Sequence, residues 1–135
     1  MARALNVKLV PILKRLDSEK YFDLKGQLDR SAGSVMDNIA EGFERSGSRE
    51  FIQFLAISKG SLGEVRSQLY RVYDRSLINE TELDSFQKEC KLLAGKIASF
   101  ITYLRNTEIK GEKFKPKSKL GTSEQETKNH KQETF

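Results

Sequence analysis

Three carboxylates, Asp37, Glu41 and Glu44, recur at spacings of four and three residues, which puts them on one face if the stretch is helical. Helical bundles build di-metal centres from carboxylates so placed, but they pair them with histidines on facing helices. The only histidine here is His130, in a polar segment near the C-terminus. Neither that donor set nor a Ser-His-Asp or Cys-His arrangement is therefore available. The one cysteine, Cys90, excludes an internal disulfide framework and a cysteine-cluster metal site, and it falls on an apolar stripe as a small core residue would. The acidic trio reads as a solvated face. The expectation is a chain that is not an enzyme and takes no metal and no cofactor.

Binding chemistry is more plausible than catalysis. Asn38 lies beside Ile39 and one turn after Val35, close to an apolar face, where a polar group must find partners. Arg30, Gln27 and Ser34 are spaced to supply them on the same helix. Arg30, Asn38 and Glu41 are taken together as a structural polar network that fixes helix register or subunit contact; the alternative is a ligand site. Further on, Arg45-Ser46-Gly47-Ser48-Arg49-Glu50 forms a turn in which Ser46 or Ser48 can cap the next helix. Backbone N–H groups there, flanked by Arg45 and Arg49, can receive a phosphate. Arg66, Arg71 and Arg75, with Tyr70 and Tyr73 among them, offer charge and stacking to a nucleic-acid strand, or simply a solvated face.

These residues need elements to hold them, and the apolar spacing supplies four. Leu83, Phe86, Cys90, Leu93, Ile97, Phe100 and Leu104 step by three and four, predicting a helix over about 80–106. Asn79 and Glu82 form a capping box at its start, with Ile78 placed to staple onto Leu83. Phe51, Leu55, Ser58, Leu62, Val65, Leu69 and Val72 predict a helix over about 49–76. Leu24, Leu28, Ala32, Val35, Ile39 and Phe43 predict one over about 21–44. Leu5, Leu9, Ile12 and Leu16 predict a first helix over about 3–16, with Pro11 expected to kink or divide it. Sustained heptads and short turns point to an antiparallel, up-and-down four-helix bundle, an all-α fold. Beside the stripe of the third helix run Ala56, Gly60, Gly63 and Ser67. Because glycine costs helix stability, this seam is expected to admit a neighbouring backbone, within the chain or between subunits.

The domain expected from these patterns covers residues 1–107. Residues 108–135 are too polar to offset ordering entropy, so a disordered tail rich in Lys and Glu is expected there. The chain as a whole carries 24 Lys+Arg against 19 Asp+Glu, a net charge of +5. Seven lysines against five glutamates lie in the tail, five of those lysines between Lys110 and Lys119. A modest positive balance suits an anionic partner as well as plain solubility. No apolar run approaches the ~20 residues that span a bilayer. The interleaved charges of the N-terminus read poorly as a signal peptide, so a cytoplasmic protein without a membrane partner is expected.

One combination is more specific than any single motif. Leu24, Gln27, Arg30 and Ser34 precede Asn38-Ile39-Ala40-Glu41-Gly42, followed by Arg45, Glu50-Phe51, Phe54-Leu55, Gly60-Ser61-Leu62 and Glu64. This order resembles the four-helix-bundle proteins encoded in intervening sequences of 23S rRNA genes. The accessory variability determinant proteins of diversity-generating retroelements are more distant relatives of that family. Similarity is strong over 24–76, extends in heptad pattern to 106, and is absent beyond. The resemblance implies a protomer that assembles into a ring-like homopentamer, a basic surface suited to RNA or DNA, no catalytic activity, and, for the retroelement members, a reverse-transcriptase partner. The chain departs from the family in having no tryptophan, in Pro11, and in Met36-Asp37 where a proline is common.

The functional expectation is a non-enzymatic homo-oligomer that binds nucleic acid through Arg45, Arg49, Arg66, Arg71, Arg75 and the lysine-rich tail. The alternative is a protein-interaction scaffold, or an accessory subunit for a partner such as a reverse transcriptase.

Overall fold

The structure, a computed structural model, describes residues 1–114, with side chains as far as Lys110. Helix α1 spans Ala2–Ser18, α2 Phe22–Glu44, α3 Ser48–Asp74 and α4 Glu80–Phe114, and no strand occurs among the described residues. Cross-helix bonds give the directions. Asn6 reaches Ala32, Ser34 meets Ser61, Arg66 meets Gln87, and Arg49 meets Glu108. Each partner number falls as its mate's rises, so sequential helices run antiparallel in an up-and-down bundle. The longest helices lie side by side, and α1 packs more extensively on α2 than on α4.

The heptad stripes become the core. The apolar residues whose spacing predicted α1, α3 and α4 are all buried, as are those of α2 apart from Phe43, which is half-buried against the core. Phe51 is fully enclosed, with Phe43 and Phe100 packed edge-on to its ring at 6.1 and 5.5 Å between centroids. Cys90 is also fully buried, and burial pushes its thiol up to about 11. A thiol so held is a small apolar group at neutral pH.

The capping box at α4 forms as the sequence requires. Glu82 N–H donates to Asn79 Oδ1 at 2.8 Å, and Asn79 N–H donates to Glu82 Oε1 at 3.2 Å. Both Ile78 and Leu83 are buried in the core. The ends of α1 and α3 close through the backbone. Lys20 and Ser76 take positive φ values of 64° and 61°, and the residue after each bonds five residues back, Tyr21 to Leu16 and Leu77 to Val72. This is the Schellman closure, made here without glycine.

Three expectations are corrected, and one is narrowed. Pro11 does not divide α1, which is continuous over 17 residues. Pro11 and Val7 both face solvent, so the carbonyl that loses its bond lies on the wet side. Neither Ser46 nor Ser48 caps α3: the N-cap is Gly47, no side chain caps it, and Ser48 is the first helical residue and buried. Helix α4 continues beyond 106 to Phe114, so residues 108–114 are helical. Arg49 Nε donates to Glu108 Oε1 at 3.1 Å, which ties that extension to α3. The rest of the expected tail, 115–135, lies outside the described residues. Finally, Ala56, Gly60, Gly63 and Ser67 are exposed, and a Cβ added at Gly60 or Gly63 would meet nothing within 4 Å. Among the described residues no neighbouring helix approaches that seam, which leaves the contact between subunits as the part of the expectation still open. Gly42 does make a close approach, because a Cβ there would sit 2.8 Å from Phe54 Cβ and 2.9 Å from Phe51 Cδ1.

Candidate functional site

Helices α2 and α3 share an apolar interior, but their outer seam is polar. Gln27, Arg30, Ser31 and Ser34 recur at helical spacing on α2 and face Ser61, Glu64 and Gln68 on α3, lining a cleft of about 370 Å³. Side chains cross it in layers. At one end Ser34 Oγ and Ser61 Oγ are 2.8 Å apart, and Asn38 Nδ2 donates to Ser34 Oγ at 2.9 Å and to the Ser34 carbonyl at 2.8 Å. In the middle Ser31 Oγ donates to Glu64 Oε2 at 3.2 Å and accepts from Gln68 Nε2 at 3.1 Å. At the other end Arg71 Nη1 donates to Gln27 Oε1 at 2.9 Å. Beneath the seam, buried Ser58 donates to the Val35 carbonyl at 2.7 Å.

One atom of this network is unmet. Gln68 is 7% exposed, and its Oε1 has no protein group in bonding range. A buried acceptor left this way costs about 1–3 kcal/mol. The rest of the seam is well paired, so the orphan stands out.

Of the three residues expected to form a polar network, only Asn38 joins one. It is half-buried and bonds Ser34, as the spacing suggested. Glu41 is exposed and pairs instead with Arg45, whose Nη2 and Nε lie 2.7 and 3.1 Å from its Oε1. Arg30 lies at the cleft rim, its guanidinium close over Gly26, and bonds neither Asn38 nor Glu41. Ser31 and Ser34, beside the apolar stripe of α2, make the true network, with Ser61, Glu64 and Gln68 opposite. A spacing of seven between Ser61 and Gln68, with Glu64 between them, was the available signal. Asp37, Glu41 and Glu44 are all exposed, and no group of three His, Cys, Asp or Glu is placed to hold a metal among the described residues.

The five arginines are not brought to one patch. Arg45 and Arg49 stand at the α2–α3 turn, where carboxylates oppose them: Glu41 for Arg45, which also lies 5.4 Å over the Phe54 ring, and Glu108 for Arg49. Arg66 turns toward α4, donating from Nε to Gln87 Oε1 at 2.9 Å while Gln87 donates to the Arg66 carbonyl. Arg71 and Arg75 turn toward α2. Arg75 donates to the Arg71 carbonyl at 3.1 Å and lies 5.2 Å over the Tyr21 ring. The partners of Arg66, Arg71 and Arg75 are thus uncharged, and their positive charge is not cancelled by them. The lysine-rich stretch after Phe114 lies outside the described residues.

A second surface is apolar. Beyond the N-terminus of α1, the C-terminal half of α2 and the middle of α4 flank a groove of about 1220 Å³ lined by Met1, Met36, Ile39, Phe43, Leu92 and Phe100, with Arg3, Lys91, Lys96 and Glu44 among its other residues. Met1, Met36 and Leu92 are exposed in it. None of the four helices is long and apolar enough to cross a membrane.

The family model described as 23S rRNA-intervening sequence protein matches residues 1–99, and the chain belongs to that family. No curated protein and no solved structure matches it.

Proposed function

We propose that this member of the 23S rRNA-intervening sequence protein family is a non-enzymatic, cytoplasmic, self-associating bundle that binds nucleic acid. The observation that carries the reading is the fixing of Arg66, Arg71 and Arg75 by neutral partners, Gln87, Gln27 and Tyr21. An arginine held this way keeps its charge and loses less side-chain freedom when a phosphate arrives. Arg45 and Arg49, each opposite a carboxylate, contribute less. The lysines between Lys110 and Lys119 add a non-specific electrostatic term.

The test is a titration of labelled structured RNA and DNA into the full chain at two salt concentrations. Binding should weaken steeply with salt, with a slope near −0.7 to −0.9 per phosphate contact. Replacing Arg71 and Arg75 together by alanine should weaken binding on every sequence and flatten that slope. Undetectable binding at low salt would sink the reading.

The apolar groove favours a second reading alongside the first, in which the assembly docks a protein partner such as a reverse transcriptase. Exposed Met36 and Leu92 beside Arg3, Lys91 and Lys96 suit an apolar helix with acidic flanks. Self-association, with five copies as the resemblance implies, would use this groove or the exposed glycine seam of α3.

A further inference from the structure

We propose that the polar cleft between α2 and α3 receives the base of an unpaired guanine nucleotide, entered by its N–H edge. This deepens the nucleic-acid reading and rests on it. Two acceptors belong to the cleft, one on its exposed wall and one enclosed behind it. Glu64 carries a carboxylate of which one oxygen takes a bond from Ser31, and Gln68 carries the carbonyl oxygen with no partner. Both side chains bond the same hydroxyl, Ser31 Oγ, so their ends stand one hydroxyl apart and one turn apart on α3.

Two adjacent acceptors ask for two adjacent donors. Among the common bases, only guanine sets a ring N–H beside an exocyclic amino group on its pairing edge. Adenine and cytosine place an acceptor next to their amino group, and uracil flanks its single N–H with two carbonyls. Protein recognition of unpaired bases commonly uses that edge. Gln68 Oε1 is closed off behind the seam, but the terminal torsion of a glutamine is soft. Turning the amide gives up the bond from Nε2 to Ser31 Oγ and brings Oε1 to an arriving N–H, while Ser31 keeps its bond to Glu64.

The rim supplies the complement. Arg30 lines the cleft beside Ser31, and its guanidinium can donate to a base carbonyl. Arg71 is bonded to the cleft residue Gln27, with Arg75 four residues on, at the C-cap of α3. Both are placed for the phosphate of a nucleotide whose base lies within. The volume of about 370 Å³ falls in the range of small-molecule sites. Between Ser34 and Ser61 a single bond is shared, and Asn38 already donates to Ser34 Oγ, so one hydroxyl proton of the pair is left to orient the ligand.

The experiment is calorimetric titration of the full chain with the 5′-monophosphates of guanosine, adenosine, cytidine and uridine at one ionic strength. Guanosine monophosphate should bind at least tenfold more tightly than the other three. Glu64→Gln, at an exposed position that leaves the core intact, should remove that preference. Gln68→Leu should remove it too, while raising the thermal midpoint of the ligand-free protein. Equal binding of all four nucleotides would reduce the site to phosphate contacts on arginine and overturn the proposal, as would no binding of any. Labelled RNA separates the two failures. Salt-dependent RNA binding unchanged in Glu64→Gln, without a guanine preference, removes the cleft and leaves the broader reading standing. Loss of all RNA binding by the parent chain removes the broader reading itself.

Discussion

A methyl group added at Gly42 would lie under 3 Å from Phe54 Cβ and Phe51 Cδ1, while one added at Gly60 would meet nothing. The same substitution therefore has opposite signs within two adjacent helices. Gly42→Ala forces apart the end of the α2–α3 pair around the enclosed Phe51 ring, and overpacking of that kind costs about 1–3 kcal/mol. Gly60→Ala removes a helix-interior glycine at an exposed site and should gain about 0.5–1 kcal/mol. Urea denaturation of the two variants reads both effects. A destabilised Gly60→Ala would show that another copy covers this seam, since nothing among the described residues does. Spacing alone treats the two glycines alike, because both stand beside an apolar stripe.

The start of α4 shows an element whose stability depends on one carboxylate. The backbone N–H of Asn79 bonds Glu82, and Arg15 from α1 adds a second bond, so the Glu82 carboxyl is held below its usual value. A carboxyl with a lowered folded pKa contributes stability that is present above its unfolded pKa and is lost as pH falls through the folded one. Glu82→Gln should be less stable than the parent at pH 7, and the gap should close as pH falls below the ordinary carboxylate range and through the lowered folded value. Asn79→Ala removes the reciprocal cap and should cost about 1 kcal/mol at neutral pH. Thermal melts across that pH range check the sign. A gap that widened on acidification would show that Glu82 acts through something other than its charge.

At the scale of the whole molecule the question is which exposed surface meets a second copy. Two are available, the glycine seam of α3 and the apolar groove beside Met36 and Leu92. Light scattering after size exclusion, on protein freed of nucleic acid, should give a mass several times that of one chain. Leu92→Glu should lower that mass without lowering the thermal midpoint of the protomer if the groove is the contact, because Leu92 is 57% exposed. If only Gly60→Ala lowers it, the seam is the contact. A monomeric parent removes self-association from the proposed function and leaves one protomer to bind RNA alone.

The helices were legible in the sequence because burial in a bundle repeats every three or four residues, and that period survives any detail of packing. Leu83 to Leu104, the Asn79–Glu82 cap and buried Cys90 needed nothing more than spacing. Polar partners follow no such period. Glu41 looked inward beside Asn38 but turns to Arg45, one helical turn away and at the surface, where the charge keeps its water. Gln68 carried only its spacing from Ser61 as a signal; its role depends on Ser31 and Glu64, and Ser31 is 37 residues away on another helix. The same holds for the basic residues. Sequence supplied their number, but the direction of each along α3 decided that Arg66 faces α4 while Arg71 and Arg75 face α2. Periodicity fixes which residues leave water, and only the packed helices decide which polar groups then meet.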